Sequence, residues 1–277
     1  PDLTPCASVK PGETFEVDCQ DSCGGQIRTE ADLLSKIDLD HVNGATGPVE
    51  VMGAEAGDVL KVSILSLRVG RVGYVGIEPK LGVLGDRVSA AKTRIVPVRN
   101  GVARFSEDLH LPIAPHIGTI GVATSVERLS TFYPGDHGGN LDTREIRAGN
   151  RVYLPAFQAG AMLALGDIHA LMADGEVCVT GIEIDGTVRL RVDRLPGLGL
   201  RRPVVETRDA WCILASAPDL DEAAKLATAD AVDLLARGRG LAWEDAYMLT
   251  SLVVDLRISQ DVDPHRTCKA VIPARYR

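Results

Sequence analysis

Alternating apolar and polar residues predict that most of the chain forms short β-strands. In the segment GTVRLRVDRL, Val188, Leu190 and Val192 alternate with charged residues, as expected for a strand with one buried and one solvated face. The segment GDVLKVSILSL alternates in the same way. Gly, Pro and Asp residues separate such runs, which is typical of strands joined by turns. The pattern therefore predicts a mainly β fold.

The hydrophobic period changes in the C-terminal third of the chain. In PDLDEAAKLATADAVDLLARGRG, the apolar residues fall along one face of a helix. We expect Asp219 to cap its start, Glu222 to complete a capping box and Gly238 to end it. A second helix is expected to begin near Ala242. These patterns predict one β-rich α+β domain over residues 1–277, built from stacked sheets as in a β-sandwich, with a small helical subregion at about residues 219–255.

Composition and charge limit the classes of partner. The chain has 277 residues, is 45% hydrophobic and carries a formal net charge of -8. Nucleic acids and anionic membranes bind clustered Lys and Arg, so we expect neither as a partner. No apolar run reaches the roughly 20 residues of a spanning helix, and the start PDLTPCASVK lacks the charged-then-apolar order of a secretory signal. We therefore expect a cytoplasmic protein.

Acidic residues and histidines concentrate between residues 136 and 183. Asp167 and His169 are two apart in LGDIHAL, so in an extended chain they point to the same side while Ile168 points to the other. Imidazole nitrogen and carboxylate oxygen suit Zn²⁺, Mn²⁺ or Fe²⁺, but two side chains supply only part of a coordination shell. The nearest candidates for the remaining ligands are Asp136, His137, Asn140, Asp142, Glu176 and Glu183.

The turn after His169 decides which of these candidates can reach it. A two-residue hairpin turn at 174–175 would pair His169 with Thr180. It would also place Glu183 on the opposite face of the hairpin, unless a bulge at Gly181 inserts one residue and brings Glu183 in. The sequence is compatible with the hairpin both with and without the bulge at Gly181.

Missing motifs narrow the chemistry further. The chain has no G-x-S-x-G nucleophile elbow, no glycine-rich dinucleotide or phosphate-binding fingerprint and no H-E-x-x-H helix. A water activated by a metal ion is therefore the leading nucleophile for any hydrolysis. A non-catalytic β-rich binding protein with a structural ion is the alternative from another class. Four single histidines are expected to be structural or at the surface: His41, His110, His116 and His265.

Several segments carry a resemblance to a known family. The segment HGGNLDTREIRAGNRVYLPAFQAGAMLALGDIHALMADGEVCVTGIE resembles the acetamidase/formamidase family, above all through G-N-x-D, G-D-x-H-A and D-G-E. SVKPGETFEVDCQDSCGGQI, GPVEVMGAEAGDVLKVSI, LPIAPHIGTIGVA and AYMLTSLVVDLRISQDVDP are similar to other blocks of the family in the same order. The resemblance covers nearly the whole chain, so residues 1–277 are expected to form one domain of this type.

The resemblance implies a mostly β fold and an amidohydrolase that converts a short aliphatic amide, formamide or acetamide, to a carboxylate and ammonia. Its metal-bearing and catalytic positions map onto His137, Asn140, Asp142, Asp167, His169, Glu176, Glu183 and Asp21. We expect Glu176, His137 and Asn140 to be catalytic, with Glu176 as general base and then acid. We expect Asp21, Asp142, Asp167, His169 and Glu183 to bind the metal.

The expected ion is a divalent metal, zinc first, with calcium or another dication as alternatives. A homo-oligomer is expected. The chain has Ala173 where the family usually has a glycine before D-G-E, so the shape of that turn and of the substrate pocket is open. A hydrolase of a different C–N bond is the alternative within enzymes.

Overall fold

The computed structural model describes residues 3–276, in which β-strands dominate. The first ten strands are β1 (Ala7–Val9), β2 (Thr14–Cys19), β3 (Ala45–Val51), β4 (Val59–Val69), β5 (Val72–Ile77), β6 (Lys92–Arg99), β7 (Val102–Arg104), β8 (His110–Pro112), β9 (His116–Gly121) and β10 (Gly138–Asn140). The others are β11 (Arg151–Pro155), β12 (Leu163–His169), β13 (Glu183–Ile184), β14 (Gly186–Leu195), β15 (Val204–Glu206), β16 (Ala210–Ala217), β17 (Asp255–Gln260) and β18 (Arg266–Pro273). Short 3₁₀ helices lie at Leu34–Lys36, Leu39–His41, Gly85–Arg87 and Ala274–Tyr276.

The strands form two sheets. One is 10-stranded, in the order β1-β3-β12-β13-β5-β6-β7-β8, with β9 paired to β12 and β10 paired to β9. The other is 8-stranded, in the order β17-β18-β16-β15-β11-β4-β14-β2. Buried side chains from both sheets, such as Ile168 and Val188, belong to one hydrophobic core. The mainly β fold class with stacked sheets is therefore confirmed.

The two strands predicted from alternation form as expected. In β14, Val188, Leu190 and Val192 are buried whereas Arg189 and Arg191 are exposed. Strand β4 buries its predicted apolar positions in the same core. The hydrophobic pattern therefore set the orientation of both strands, because a shift of one residue would expose every one of these side chains.

The two α-helices near the C-terminus are α1 (Leu220–Arg239) and α2 (Trp243–Val253). The Asp219 side chain accepts a hydrogen bond from the backbone N–H of Glu222, as expected for an N-cap. The expected end at Gly238 is wrong. Gly240 ends the helix with a φ of 63°, because only there does the chain turn left-handed, and its N–H bonds to the Ala236 carbonyl.

Strand β12 lies at the centre of the larger sheet and pairs with β3, β9 and β13. His169 pairs directly with Glu183 on β13 and with His116 on β9. The two-residue turn at 174–175 is therefore wrong, since residues 170–182 form a longer irregular loop. Within that loop Gly175 bridges to Gln260 of the other sheet. Among the described residues, no helix combines the length and apolar character needed to cross a membrane.

Candidate active site

Five ionisable side chains meet at the ends of β12 and β13 and in two adjoining loops. Nε2 of His169 lies 3.2 Å from Asp167 Oδ1, 3.1 Å from Glu183 Oε1 and 3.7 Å from Glu176 Oε1. Asp142, Asp167 and His169 form one group whose ligand atoms lie within 4.8 Å of one another, and His169, Glu176 and Glu183 form a second. Asp167 and His169 thus share a face as the sequence spacing predicted. Ile168 between them packs in the core.

The cluster is buried and rich in uncompensated carboxylates. Asp142, Asp167, His169, Glu176 and Glu183 are exposed by 6% or less. Both carboxylate oxygens of Asp142 and Oε2 of Glu183 are buried with no hydrogen-bond partner among the described residues. A buried anion without a partner is costly. Oxygen atoms that lack donors, converging around an imidazole nitrogen, are the ligand set of a divalent cation. These residues therefore fit such an ion.

Burial shifts the pKa of most of these groups upward. It raises the pKa of Asp142 to about 6, with the charge of Asp167 adding to the effect. Burial also raises the pKa of Glu183 to about 7 and holds that of Glu176 well above its ordinary value, with the Asp142 charge contributing to the latter. Burial lowers the pKa of His169, but the Glu183 and Asp167 carboxylates outweigh it and raise that pKa overall. The cluster therefore favours a positive charge at its centre.

His116, which the sequence suggested was structural or at the surface, contacts the cluster directly. Its Nδ1 lies 3.2 Å from the Ala114 carbonyl oxygen, and its Nε2 lies 3.2 Å from Nδ1 of His169. A carbonyl only accepts, so His116 donates from Nδ1 and its Nε2 is left to accept from His169 Nδ1–H. This arrangement leaves Nε2 of His169 facing the carboxylates, the orientation that metal-binding imidazoles adopt in many sites. His116 therefore belongs to the candidate site by its contact with His169, which the sequence interpretation did not predict.

The backbone around the site adopts rare conformations. Asp142, Asp167 and Glu176 have φ values of 40°, 54° and 42°, in the left-handed region that costs non-glycine residues about 1–3 kcal/mol. Such conformations concentrate at functional sites, where the surrounding structure holds them. Gly118 on β9 also brings its backbone against the site, and a Cβ there would collide with the carboxylates of Asp167 and Asp142.

A hydrogen-bond network extends the cluster on the Asp142 side. Nδ2 of Asn140 donates to Asp263 Oδ2 at 2.9 Å, while Oδ1 of Asn140 accepts from Asn43 Nδ2 at 3.0 Å and from the Thr119 hydroxyl. Burial and the neighbouring Asp142 charge hold the pKa of Asp263 well above its ordinary value. Asp263 was missed from the sequence, since it lies about 120 residues from Asn140 and has no local motif.

Three other predicted residues lie outside these groups. Asp21 Oδ1 accepts from the backbone N–H groups of Cys23 and Gly25 at 3.0 and 3.1 Å, so this carboxylate closes its own turn. Asp136 forms an ion pair with Arg202 at 2.9 Å. His137 is half-buried, and burial lowers its pKa. It borders a cavity of about 310 Å³ that Thr119 and Gly139 also line. The metal role of Asp21 and the catalytic role of His137 stay predictions.

A second cavity, of about 390 Å³, reaches the cluster at Glu176. Met172, Val177 and Ile182 give it apolar walls, and Ala173 lines it beside Glu176. The remaining cluster residues do not border this cavity. Of the five cluster residues, a small molecule in this cavity would therefore contact Glu176.

Comparison with known proteins identifies relatives of the chain. The model of the Acetamidase/Formamidase family matches residues 1–133 and 126–275. A formamidase from Methylophilus methylotrophus is 29% identical over 272 residues, which cover 74% of this chain and 66% of the formamidase. The chain spans between 62% and 66% of the length of the curated relatives it matches.

Solved structures are similar over almost the whole chain. An acetamidase from Bacillus halodurans superposes with a TM-score of 0.98 at 40% identity, covering 99% of this chain and 93% of the acetamidase. A recombinant predicted acetamidase/formamidase from the thermophile Thermoanaerobacter tengcongensis superposes with a TM-score of 0.96 at 42% identity, covering 98% of this chain and 90% of that protein.

Proposed function

Because this chain belongs to the acetamidase/formamidase family, we propose that it is an amidohydrolase that converts a short linear amide and water to a carboxylate and ammonia. The observation that carries the proposal is the position of Glu176. This acid borders the cavity of about 390 Å³ and also belongs to the buried cluster around His169. A substrate in the cavity thus lies next to a proton-accepting group and a candidate cation site.

The proposal assigns the cation to Asp142, Asp167, His169 and Glu183. His169 belongs to both groups of converging ligand atoms, and the carboxylates of Asp142 and Glu183 contain oxygens that lack hydrogen-bond donors. A bound dication such as zinc polarises the amide carbonyl and lowers the pKa of water toward neutrality. The hydrogen bond between the two rings lets His116 keep Nε2 of His169 directed at this position, where it would bind the ion after losing its proton.

Glu176 is proposed to move the protons. Its Oε1 is farther from His169 Nε2 than Asp167 and Glu183 are, at 3.7 Å against 3.2 and 3.1 Å. Its raised pKa suits a group that accepts a proton from the attacking water and then donates it to the leaving nitrogen. Both transfers are needed because an unprotonated amine is a poor leaving group. Water thus adds to the carbonyl carbon, the C–N bond breaks and ammonia leaves.

Formamide and acetamide are the proposed substrates. Glu176 is only 6% exposed, so the reacting carbonyl must reach a largely buried carboxylate from the cavity. A small amide offers few atoms for remote binding, so its orientation must come from groups that contact the carbonyl and the nitrogen. Ammonia release from formamide, acetamide, propionamide and benzamide tests this, and kcat/KM is expected to be highest for the first two. A preference that rises with acyl size would contradict the proposed substrates.

The same assay tests the metal when it is combined with elemental analysis. We expect the purified protein to contain a divalent metal, to lose ammonia release after chelation and to regain it after zinc is added. Full activity in chelated, metal-free protein would contradict metal dependence. Release of an amine from an N-formyl amine, without ammonia from any simple amide, would indicate a different C–N bond. A tightly held ion with no turnover of any amide would indicate a binding protein.

Assembly and location are also proposals. Helix α2 exposes Trp243 by 50% and Leu252 by 81%, and apolar surfaces of this kind often mark interfaces. Strand β17 ends its sheet and alternates Asp255 with Arg257, so antiparallel pairing of two copies would set opposite charges side by side. We therefore propose a homo-oligomer, and a monomer mass in light scattering would contradict it. A cytoplasmic location stays a prediction for cell fractionation.

A further inference from the structure

Lys269 on β18 is a fully buried cation with two carboxylate partners. Its side chain is 0% exposed, and its Nζ lies 2.7 Å from Glu145 Oε2 and 2.7 Å from Asp174 Oδ1. Burying a lysine costs desolvation energy, and an apolar residue of similar volume often stabilises a core at least as well. Stability alone therefore does not explain a lysine at this position.

The two partners of Lys269 belong to the two loops that carry site acids. Glu145 follows Asp142 by three residues, and Asp174 precedes Glu176 by two residues. One ammonium group thus connects both loops to the smaller sheet. The Glu176 loop is also held by its backbone, since Gly175 N–H bonds to the Ser259 carbonyl at 2.7 Å and Asp261 N–H bonds to the Gly175 carbonyl at 3.1 Å.

The two loops need such a connection because their backbone conformations and their clustered carboxyl groups are unfavourable unless other residues hold them in place. Asp142 and Glu176 both have left-handed φ values, which persist only when surrounding structure holds them. Their carboxyl groups also converge on the same buried imidazole, that of His169. Without a cation between them, Glu145 and Asp174 would repel each other and tend to separate the loops.

We propose that Lys269 is a positioning residue that holds the Asp142 and Glu176 loops together at the site. This proposal rests on the proposed amidohydrolase function for its effect on turnover, but its effect on the loops can be measured without turnover. Lys269 does not border the cavity at Glu176 and therefore acts through Glu145 and Asp174. The same cation thus connects the loop of a residue proposed to bind the metal, Asp142, with the loop of the residue proposed to transfer protons, Glu176.

Backbone hydrogen exchange of the full chain tests the connection itself. Lys269→Met keeps the length of the side chain and removes its charge. We expect amides of both loops, 141–147 and 174–176, to exchange about tenfold faster or more, because local opening no longer breaks two charged contacts. The matched control is Arg194→Met, which removes an ion pair to the buried Asp58 in a turn outside both loops. Lys269→Arg is expected to restore slow exchange in both loops.

Kinetics of the same variants test the positioning role. We expect Lys269→Met to lower kcat for acetamide by about 10- to 100-fold, the usual cost of losing a supporting contact, with a much smaller change in KM. Lys269→Arg should recover most of kcat, and Arg194→Met should keep it. Loop exchange and kcat unchanged relative to Arg194→Met would overturn the proposal, as would faster exchange in only one of the loops.

Asp174→Asn provides the test if Lys269→Met does not fold. It keeps the pair between Lys269 and Glu145 and weakens the connection to the Glu176 loop. Because Asp174 also borders the cavity at Glu176, the exchange measurement decides this test. We expect faster exchange at 174–176, unchanged exchange at 141–147 and a lower kcat. Unchanged exchange at 174–176 would overturn the proposal. If the wild-type protein released no ammonia from any amide, the proposed function would fail, and the exchange measurements would still decide the role of Lys269.

Discussion

Nδ1 of His169 lies 3.2 Å from Nε2 of His116, and the two buried rings meet edge to face with centroids 5.0 Å apart. Burial, together with the nearby His169 charge, lowers the pKa of His116 to about 3. His116 is therefore neutral near pH 7 and is a hydrogen-bond acceptor for His169. The two rings thus form a hydrogen-bonded chain that runs from the Ala114 carbonyl through His116 to His169 in the carboxylate cluster.

Replacing His116 should weaken metal binding without removing a ligand. His116→Leu leaves His169 Nδ1–H without its acceptor, and we expect zinc affinity to fall by about 10- to 100-fold. His116→Gln, which retains an acceptor oxygen, should lose less zinc affinity than His116→Leu. Titration with zinc after chelation measures both affinities. Equal affinities for wild type and His116→Leu would show that this hydrogen bond does not orient His169.

Replacing His169 should abolish both metal binding and amide hydrolysis while the protein stays folded. His169 belongs to both groups of converging ligand atoms, so His169→Ala removes the nitrogen common to them. His110→Ala is the control, since His110 is exposed on β8. Metal content, ammonia release and circular dichroism are compared for the two variants. A folded His169→Ala variant with full metal content and normal turnover would remove His169 from the site.

Adding one methyl group on β9 should disrupt the site. Gly118→Ala places a Cβ against the carboxylates of Asp167 and Asp142, so one of them must move. We expect loss of metal and a drop in kcat/KM of at least about tenfold, since the ligands are displaced. Gly238→Ala is the control, because a Cβ there meets no atom within 4 Å. If both variants bound zinc normally, the β9 backbone would not define the site.

Metal should stabilise the protein more as the pH rises. Burial raises the pKa of Asp142 from 3.8 to about 6 and that of Glu183 from 4.5 to about 7. The stability from a raised pKa is complete below the unfolded value and is lost as the pH rises through the folded value. His169, whose pKa the carboxylates raise, acts in the same direction. Chelated protein should therefore lose stability between about pH 4 and 7.

Thermal unfolding at about pH 5 and about pH 8 measures this effect. At about pH 8 we expect the zinc-induced rise in Tm to exceed the rise at about pH 5 by about 5 °C or more. In a chain of this size, each kcal/mol of stability changes Tm by about 2–4 °C. Asp167 does not alter the expectation. The nearby His169 charge outweighs the effect of burial and lowers the pKa of Asp167, so Asp167 titrates below both pH values. An equal zinc effect at both pH values would contradict the buried-carboxylate account.

The local sequence pattern correctly predicted which side chains share one face of a strand. Alternation placed Val188, Leu190 and Val192 inside, and the two-residue spacing placed Asp167 beside His169. The end of α1 was misplaced because Gly238 and Gly240 are both permitted stops, and the chain turns left-handed only at Gly240. The pairing of His169 with Glu183 was also missed, since an irregular loop separates them and local sequence does not fix its length.

Contacts between distant segments account for the rest of the site. His116 lies in β9 and looks like an isolated histidine in the sequence, yet sheet pairing sets it directly opposite His169. Asp263 and Lys269 come from the smaller sheet and its adjoining loop, and only the packing of the two sheets brings them to the acidic loops. No spacing rule in one sequence encodes such contacts, because they depend on how strands from different regions align.

Glu176→Gln most directly tests the central claim that the buried cluster holds a dication while Glu176 transfers protons. The substitution preserves shape and removes the proton acceptor. We expect metal content equal to that of wild type and a kcat for acetamide lower by roughly 10²–10⁴, the usual contribution of a positioned acid or base. Elemental analysis and ammonia release on the same sample give both numbers. Full metal with an unchanged kcat would contradict the account, and loss of the metal would make Glu176 a ligand instead of the base.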